Sequence, residues 1–396
     1  MTDSKNRKKL GFQTRSVHEG NGIDRETGAL RRPITMANCY ALPYDPSSVD
    51  WSTSKEAIYA RNGNANQKFL QEKIASLEEG EDCVVLATGV AALWGVFFTT
   101  LKTGDHVVVS DSTYIGAYRQ MHQLLPEKYN IQTTLVDSRD PENVRAALRP
   151  ETKLVHIETP SNPLTKISDI PAIAKIAHDA GALLSVDNTF ASPYNQRPMT
   201  LGADLCVESL TKYINGHGDA LGGAVIGPSN LLHKIRREAM INTGCAISPF
   251  NAWLIMRGTV TFPFRMRQHN QSGLTVARFL EGHPAVRFVA YPGLESHAGH
   301  ELAKKQMSNG FGGMMSFGLK ADHDAHCRFV SHLQIITSAM SLGHDESLIV
   351  FNGEQDERQY LYPEEFHAGF FRLSVGLEDT EDLIEDIRQA LEKAGL

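Results

Sequence analysis

The chain has 396 residues, 41% hydrophobic and 21% charged, and 39 Lys+Arg against 46 Asp+Glu give a formal net charge of −7. That length allows two or three domains and a sizeable core. The acidic balance argues against nucleic acid or an anionic membrane as a partner. Five widely spaced cysteines (Cys39, Cys83, Cys206, Cys245 and Cys327) with no CxxC exclude a disulfide scaffold and a zinc ribbon, and favour a reducing, cytoplasmic setting. The polar start MTDSKNRKKLGF lacks the apolar stretch of a signal peptide.

In chain order, the segment carrying Pro33, Pro43 and Pro46 reads as an irregular arm. Cys83 to Leu101 is uncharged over 19 residues, close to the length of a membrane span. Thr88, Gly89, Gly95, Thr99 and Thr100 dilute it, so it reads as a buried strand, a glycine turn and a buried helix. Five further strands are predicted at His106–Ser110, Lys153–Glu158, Leu183–Asp187, Asp204–Glu208 and Gly223–Gly227, joining Cys83–Ala87. These short runs of Val, Ile and Leu show little polar alternation, as in strands buried on both faces of a mostly parallel sheet. A helix opens at Asp169-Ile170-Pro171, carries Ile170, Ile173, Ala174 and Ala177 as its apolar stripe, and closes at Gly181. Strand–helix alternation implies an α/β fold. From about Phe250 longer helical patterns (Ser272–Glu281, Thr380–Ala394) flank shorter strands (Met314–Leu319, Phe371–Val375), which reads as a smaller α+β C-terminal domain.

The chemistry concentrates between Leu183 and Gly227. One buried strand ends in Asp187; the next is followed by Ser209-Leu210-Thr211-Lys212. An acid at one strand end and a lysine just past the next belong to a crevice at the carboxyl ends of parallel strands. Pyridoxal phosphate needs this pair: a lysine for the Schiff base, and an acid that keeps the pyridine nitrogen protonated. Alone, Lys212 would read as a surface lysine and Asp187 as a helix cap; together, on these strands, they read as a cofactor site. Ala87-Thr88-Gly89-Val90 follows a strand and opens a helix, a place for phosphate. No GxxxxGK[ST] occurs, and no GxGxxG follows a strand.

On these residues the chain resembles the cystathionine and methionine metabolism (trans-sulfuration) family of pyridoxal phosphate enzymes. That family includes cystathionine gamma-synthase, cystathionine gamma- and beta-lyases, methionine gamma-lyase and homoserine-ester sulfhydrylases. The likeness runs from Thr14-Arg15-Ser16-Val17-His18-Glu19-Gly20 to Phe371-Arg372-Leu373-Ser374-Val375-Gly376, through Val186-Asp187-Asn188-Thr189-Phe190 and Gly216-His217-Gly218-Asp219. It implies a fold-type-I pyridoxal-phosphate transferase fold: a large, mostly parallel sheet domain and a smaller α+β C-terminal domain. The expected division is an arm over 1–60 that contacts a neighbouring subunit, a cofactor domain over 61–250 and a C-terminal domain over 251–396. The resemblance makes Lys212 the Schiff-base lysine, Asp187 the partner of the pyridine nitrogen, and Tyr114 the ring that stacks on the cofactor and moves protons. Gly89, Val90, Ser209 and Thr211 would hold the phosphate. Tyr59 and Arg61 would reach the phosphate of a neighbouring subunit, which implies a homodimer as the minimal unit and a homotetramer of two such dimers. Arg372, with Asn162 and Ser341, would clamp the substrate carboxylate, as suits a planar guanidinium.

The implied reaction is γ-elimination from a γ-substituted amino acid of the methionine, homocysteine or cystathionine type, giving a 2-oxoacid such as 2-oxobutyrate, and ammonia. Lys212 would remove the Cα proton and Tyr114 would assist the leaving group. The alternatives are γ-replacement, β-elimination, and γ-elimination from a non-sulfur amino acid such as canavanine. Departures from the family bear on that choice. Methionine gamma-lyases carry Cys where this chain has Gly116; Met340 stands where a glutamate often precedes the Ser-Leu-Gly motif; Asn64-Ala65-Asn66 replaces Asn-Pro-Thr; and Gly343 is followed by His344-Asp345, which would line a polar tail pocket or a solvated loop. A non-catalytic protein on this fold would be expected to lack Lys212 or Arg372, and both are present. The pairs His297/His300 and His323/His326 have metal-ligand spacing, but read as solvated helical faces, so no metal is expected.

Overall fold

Runs of β-branched residues build the larger sheet. A computed structural model describes residues 10–50, 58–353 and 356–396. The polar start (1–9) and residues 51–57 of the expected arm lie outside the described residues. Seven strands, β1 (Asp82–Leu86), β2 (His106–Ser110), β3 (Gln132–Val136), β4 (Thr152–Glu158), β5 (Leu183–Asp187), β6 (Leu205–Glu208) and β7 (Gly223–Gly227), line up in the order β1-β7-β6-β5-β4-β2-β3. β3, β2, β4, β5 and β6 run parallel, and β7 is antiparallel to both β6 and β1. Reversing β7 alone leaves β1 pointing the same way as β6. The carboxyl ends of β1, β2, β4, β5 and β6 therefore share one edge.

The six predicted strands all appear, with boundaries within a residue of those expected. β3 was not predicted. Its sequence QTTLV is half-exposed at the sheet edge, so it lacks the continuous apolar run used to find the others. The uncharged run from Cys83 resolves into β1, a turn at Thr88 and the helix Gly89–Thr100. No helix of the described residues is long and apolar enough to cross a membrane. Helix Ile170–Asp179 starts on Asp169, whose carboxylate accepts from Ala172 N at 2.9 Å, and Gly181 at φ +72° turns the chain out.

The second sheet holds β8 (Val286–Ala290), β9 (Met314–Leu319), β10 (Thr337–Ser338), β11 (Leu348–Asn352) and β12 (Phe370–Ser374), ordered β10-β11-β12-β9-β8. Apart from the β10–β11 pair it is antiparallel. One face packs on helices Phe262–Gly282 and Thr380–Ala394. In the last helix Leu383, Ile387, Ala390, Leu391 and Ala394 recur at helical spacing, all buried against Phe317, Phe371 and Leu373. Each fully buried Leu, Ile or Phe there contributes about 1.5–3 kcal/mol. The core of the larger sheet extends through Ala252, Ile255 and Phe262 to Met266, inside the long helix Phe262–Gly282.

Candidate active site

Two acids end adjacent strands. β4 and β5 pair in a register that sets Glu158 beside Asp187, both buried. Asp187 Oδ1 accepts from Thr189 N at 3.0 Å and Thr189 Oγ1 at 2.6 Å, and Oδ2 has no partner among the described residues. Burial pushes the Asp187 carboxyl above its ordinary range, while the Thr189 bonds pull it back. Thr189 Oγ1 also accepts from Ser209 N at 2.9 Å, which ties the end of β5 to the serine after β6.

The glycine turn closes against that serine. Thr88 caps helix Gly89–Thr100, its hydroxyl accepting from Ala91 N at 3.0 Å. A Cβ on Gly89 would sit 2.8 Å from both Cβ and Oγ of Ser209. Only glycine leaves this hollow open at a helix N-terminus, where first-turn amides point outward. Ser209 Oγ has no hydrogen-bond partner among the described residues. Thr211 Oγ1 is engaged already, donating to Gly222 O at 3.2 Å and accepting from Gly222 N at 3.0 Å.

Lys212 lies in the turn after β6, and Nζ donates to Ser341 Oγ at 2.8 Å. Burial first, and then the charge of Arg372, lower its pKa to about 8. The turn is braced from behind by buried Arg265, which donates to the carbonyls of Tyr213 (2.7 Å), Ile214 (3.1 Å) and Gly258 (2.9 Å). Gly216, at φ +70°, lies so close to that guanidinium that a Cβ would strike it.

Arg372 stands on β12, the middle strand of the second sheet. It donates through Nη1 to Asn162 Oδ1 (3.2 Å) and through Nη2 to Ser341 O (2.9 Å), while Nε is buried without a partner among the described residues. Burial, then the neighbouring charge of Arg358, lowers its pKa to about 10. Ser341 is held at φ +135°, a conformation costing about 1–3 kcal/mol for a non-glycine residue. Glu158 sets both sides of this region at once: Oε2 accepts from Tyr114 N at 2.6 Å and Oε1 from Asn162 N at 2.7 Å. Tyr114 is 39% exposed and precedes helix Ile115–Arg119. Its ring lies over Gly116, where a Cβ would come within 2.6 Å of Cε1.

These residues fit pyridoxal phosphate. The Gly89–Ser209 hollow suits a phosphate, the free Oδ2 of buried Asp187 suits a ring N–H, and Lys212 lies past the adjoining strand. Arg372 with its orphan Nε suits a carboxylate. Lys212, Ser341, Asn162 and Arg372 are joined by direct hydrogen bonds. Tyr59 and Arg61 are not part of that network: both are exposed, and the guanidinium lies 5.6 Å from the Tyr59 ring centre. The histidine pairs do not form a three-ligand group among the described residues, nor are they the solvated helical faces expected: His326 is 1% exposed, and His297 is half-buried in the turn before helix His300–Gln306. The three-ligand group that does form is Glu78, Cys206 and Glu208, buried between strand β6 and the end of helix Ala65–Glu78. Glu158, Thr189 and Arg265 were not singled out in the sequence. Glu158 carries the same signal as Asp187, an acid ending a buried strand; Thr189 lies in the Val186–Phe190 block that carries the resemblance but has no role there, and Arg265 carries no signal.

A family model described as Cys/Met metabolism PLP-dependent enzyme matches residues 13–392. The chain is 55% identical to canavanine gamma-lyase of Rhizobium leguminosarum bv. trifolii, covering 98% of each protein. It is 40% identical to L-methionine gamma-lyase of Treponema denticola, covering 97% of this chain and 98% of that one. Among solved structures, metB from Corynebacterium glutamicum superposes with a TM-score of 0.90 at 36% identity, covering 97% of this chain and 98% of that chain.

Proposed function

The chain belongs to the Cys/Met metabolism family of PLP-dependent enzymes, and from that premise we propose that it is a γ-lyase whose substrate is canavanine. The observation that carries the substrate is the 55% identity to a canavanine gamma-lyase over nearly the whole chain, against 40% to a methionine gamma-lyase. Gly116, where methionine gamma-lyases carry Cys, agrees with it.

Bound pyridoxal phosphate supplies an aldehyde for Schiff-base formation and a ring that draws electrons from Cα. The chain's residues do the rest. Gly89 and Val90 amides and the Ser209 hydroxyl hold the phosphate, with Thr211 fixing the turn through Gly222. Asp187 Oδ2 holds a proton on the pyridine nitrogen. Arg372 and Asn162 take the substrate carboxylate, and Ser341 steadies Lys212. Lys212 Nζ, with its pKa lowered to about 8, sheds its proton far more readily than an ordinary lysine and so serves as base at Cα. A Cβ proton is lost next, its electron pair moving toward Cγ, and Tyr114 donates the proton that the leaving oxygen of canavanine takes up as the Cγ–O bond breaks. Hydrolysis on the carbon side yields 2-oxobutyrate and ammonia. Tyr59 and Arg61, exposed on one protomer, reach the phosphate of a neighbour in a homotetramer, and the enzyme works in the cytoplasm.

The test is a substrate panel of canavanine, methionine, homocysteine and cystathionine, scored by leaving-group release and 2-oxoacid formation, with Lys212→Ala as control. Canavanine is expected to turn over with the highest kcat/KM, and Lys212→Ala to lose both turnover and the visible absorption band. Turnover of methionine with canavanine untouched refutes the substrate. Absence of release from every γ-substituted amino acid refutes γ-elimination.

A further inference from the structure

One polar side chain at Lys212 has no part in the scheme above. His344 Nε2 lies 2.9 Å from Ser341 Oγ, the atom that accepts from Lys212 Nζ at 2.8 Å. Three atoms from three side chains form one chain of hydrogen bonds. The imidazole is seated by the Gly216-His217-Gly218 turn: Gly218 is at φ +66°, and a Cβ there would stand 3.1 Å from His344 Nδ1 and 3.2 Å from Cε1. The ring is therefore held between a glycine backbone and the Ser341 hydroxyl.

Burial, then the charge of Lys212, lowers the pKa of His344, while Asp345 and Glu346 act the other way. Those are the charged groups that act on His344; the packed turn at Gly218 presents backbone, and Arg372 acts on Lys212 in turn. The imidazole is neutral near neutral pH and has a nitrogen free to accept. Ser341 has one hydroxyl hydrogen. Sent to Nε2, it leaves the oxygen's lone pairs facing the lysine.

We propose that His344 is a positioning residue for Lys212: by accepting the Ser341 hydroxyl hydrogen at Nε2, it locks that hydroxyl so that Oγ accepts from Lys212 Nζ. The proposal rests on reading Lys212 as the cofactor lysine. Through Ser341, whose carbonyl accepts from Arg372, His344 also couples the lysine to the carboxylate clamp.

The test compares His344→Phe, which fills the slot without an acceptor, with His344→Gln, which restores an acceptor oxygen near the Nε2 position. Both are read in the holoenzyme by pH titration of the visible lysine–cofactor band and by kcat and KM for canavanine. His344→Phe is expected to move the titration midpoint to lower pH, because the chain favours the protonated nitrogen. It is also expected to lower kcat about three- to tenfold with KM little changed, the effect of one net hydrogen bond. His344→Gln is expected to recover most of both. If His344→Phe does not fold, His344→Asn, whose amide stops short of Ser341, takes its place. A wild-type band whose titration His344→Phe leaves unmoved overturns the proposal alone, as does a Gln variant no better than Phe. A wild-type protein that forms no band with pyridoxal phosphate overturns the reading of Lys212, and the proposal with it.

Discussion

Replacing Gly116 by alanine puts a methyl group under the Tyr114 ring. The new Cβ would sit 2.6 Å from Tyr114 Cε1, 3.1 Å from Cδ1 and 3.3 Å from Val90 Cγ2. Carbon atoms rest at about 3.5–4.0 Å, so the ring edge must retreat by about 1 Å. The Tyr114 backbone cannot follow freely, because its N–H is held by Glu158 Oε2 at 2.6 Å. The displacement falls on the side-chain torsions, where a turn of about 30° costs about 0.5–1.5 kcal/mol. That cost is small for stability. For a proton donor, misplacement by about 1 Å lowers rate by up to about a hundredfold. Alanine also suits a helical turn better than glycine by about 0.5–1 kcal/mol. The two terms nearly cancel, so Gly116→Ala is expected to leave the melting temperature within a few degrees of wild type while kcat/KM for leaving-group release falls about ten- to hundredfold. Wild-type kcat/KM in a folded Gly116→Ala enzyme would refute the placement of Tyr114 at the reacting atoms.

Three further outcomes are expected. Arg372→Lys loses the planar fork that Asn162 and Ser341 align, so KM should rise about ten- to hundredfold with a smaller change in kcat, measured by steady-state kinetics. In the cofactor-free protein, acylation of Lys212 followed by mass spectrometry should reach half its limiting rate near pH 8, and Arg372→Met should move that midpoint upward by removing a like charge. Glu78 and Glu208 are fully buried, joined through Asn188 Nδ2 at 3.2 and 2.9 Å, and burial pushes both carboxyls up. The native state thus binds more protons than the unfolded chain, so this pair's contribution to stability declines as pH rises from about 4.3 toward neutrality. Urea unfolding across that range should show the decline in the wild type and a shallower one in Glu78→Gln.

The legibility of the sequence followed burial and locality. β2 and β5 were readable because a central parallel strand must be apolar on both faces, and Lys212 and Asp187 because each ends or follows such a strand. The edge strand β3 and the half-buried β8 and β11 escaped because half of their residues answer to solvent. Arg265 escaped for another reason. Its partners are carbonyl oxygens up to 52 positions away, and backbone acceptors leave no trace in side-chain identity. The same holds for His344. Its oddity beside Gly343 was visible, but its bond to Ser341 depends on a turn 126 residues earlier, at Gly218, that makes room for the ring.

The clamp at Arg372 has a thermodynamic consequence. One arm, Asn162, follows β4 of the large sheet, and the other, Arg372, belongs to β12 of the small one. A ligand carboxylate held by both becomes a bolt across the seam between the sheets. Binding and seam closure are then linked, and each strengthens the other by the same free energy. A simple carboxylic acid with no amino group, unable to react, should therefore still raise the melting temperature of the enzyme and protect the seam amides from hydrogen exchange.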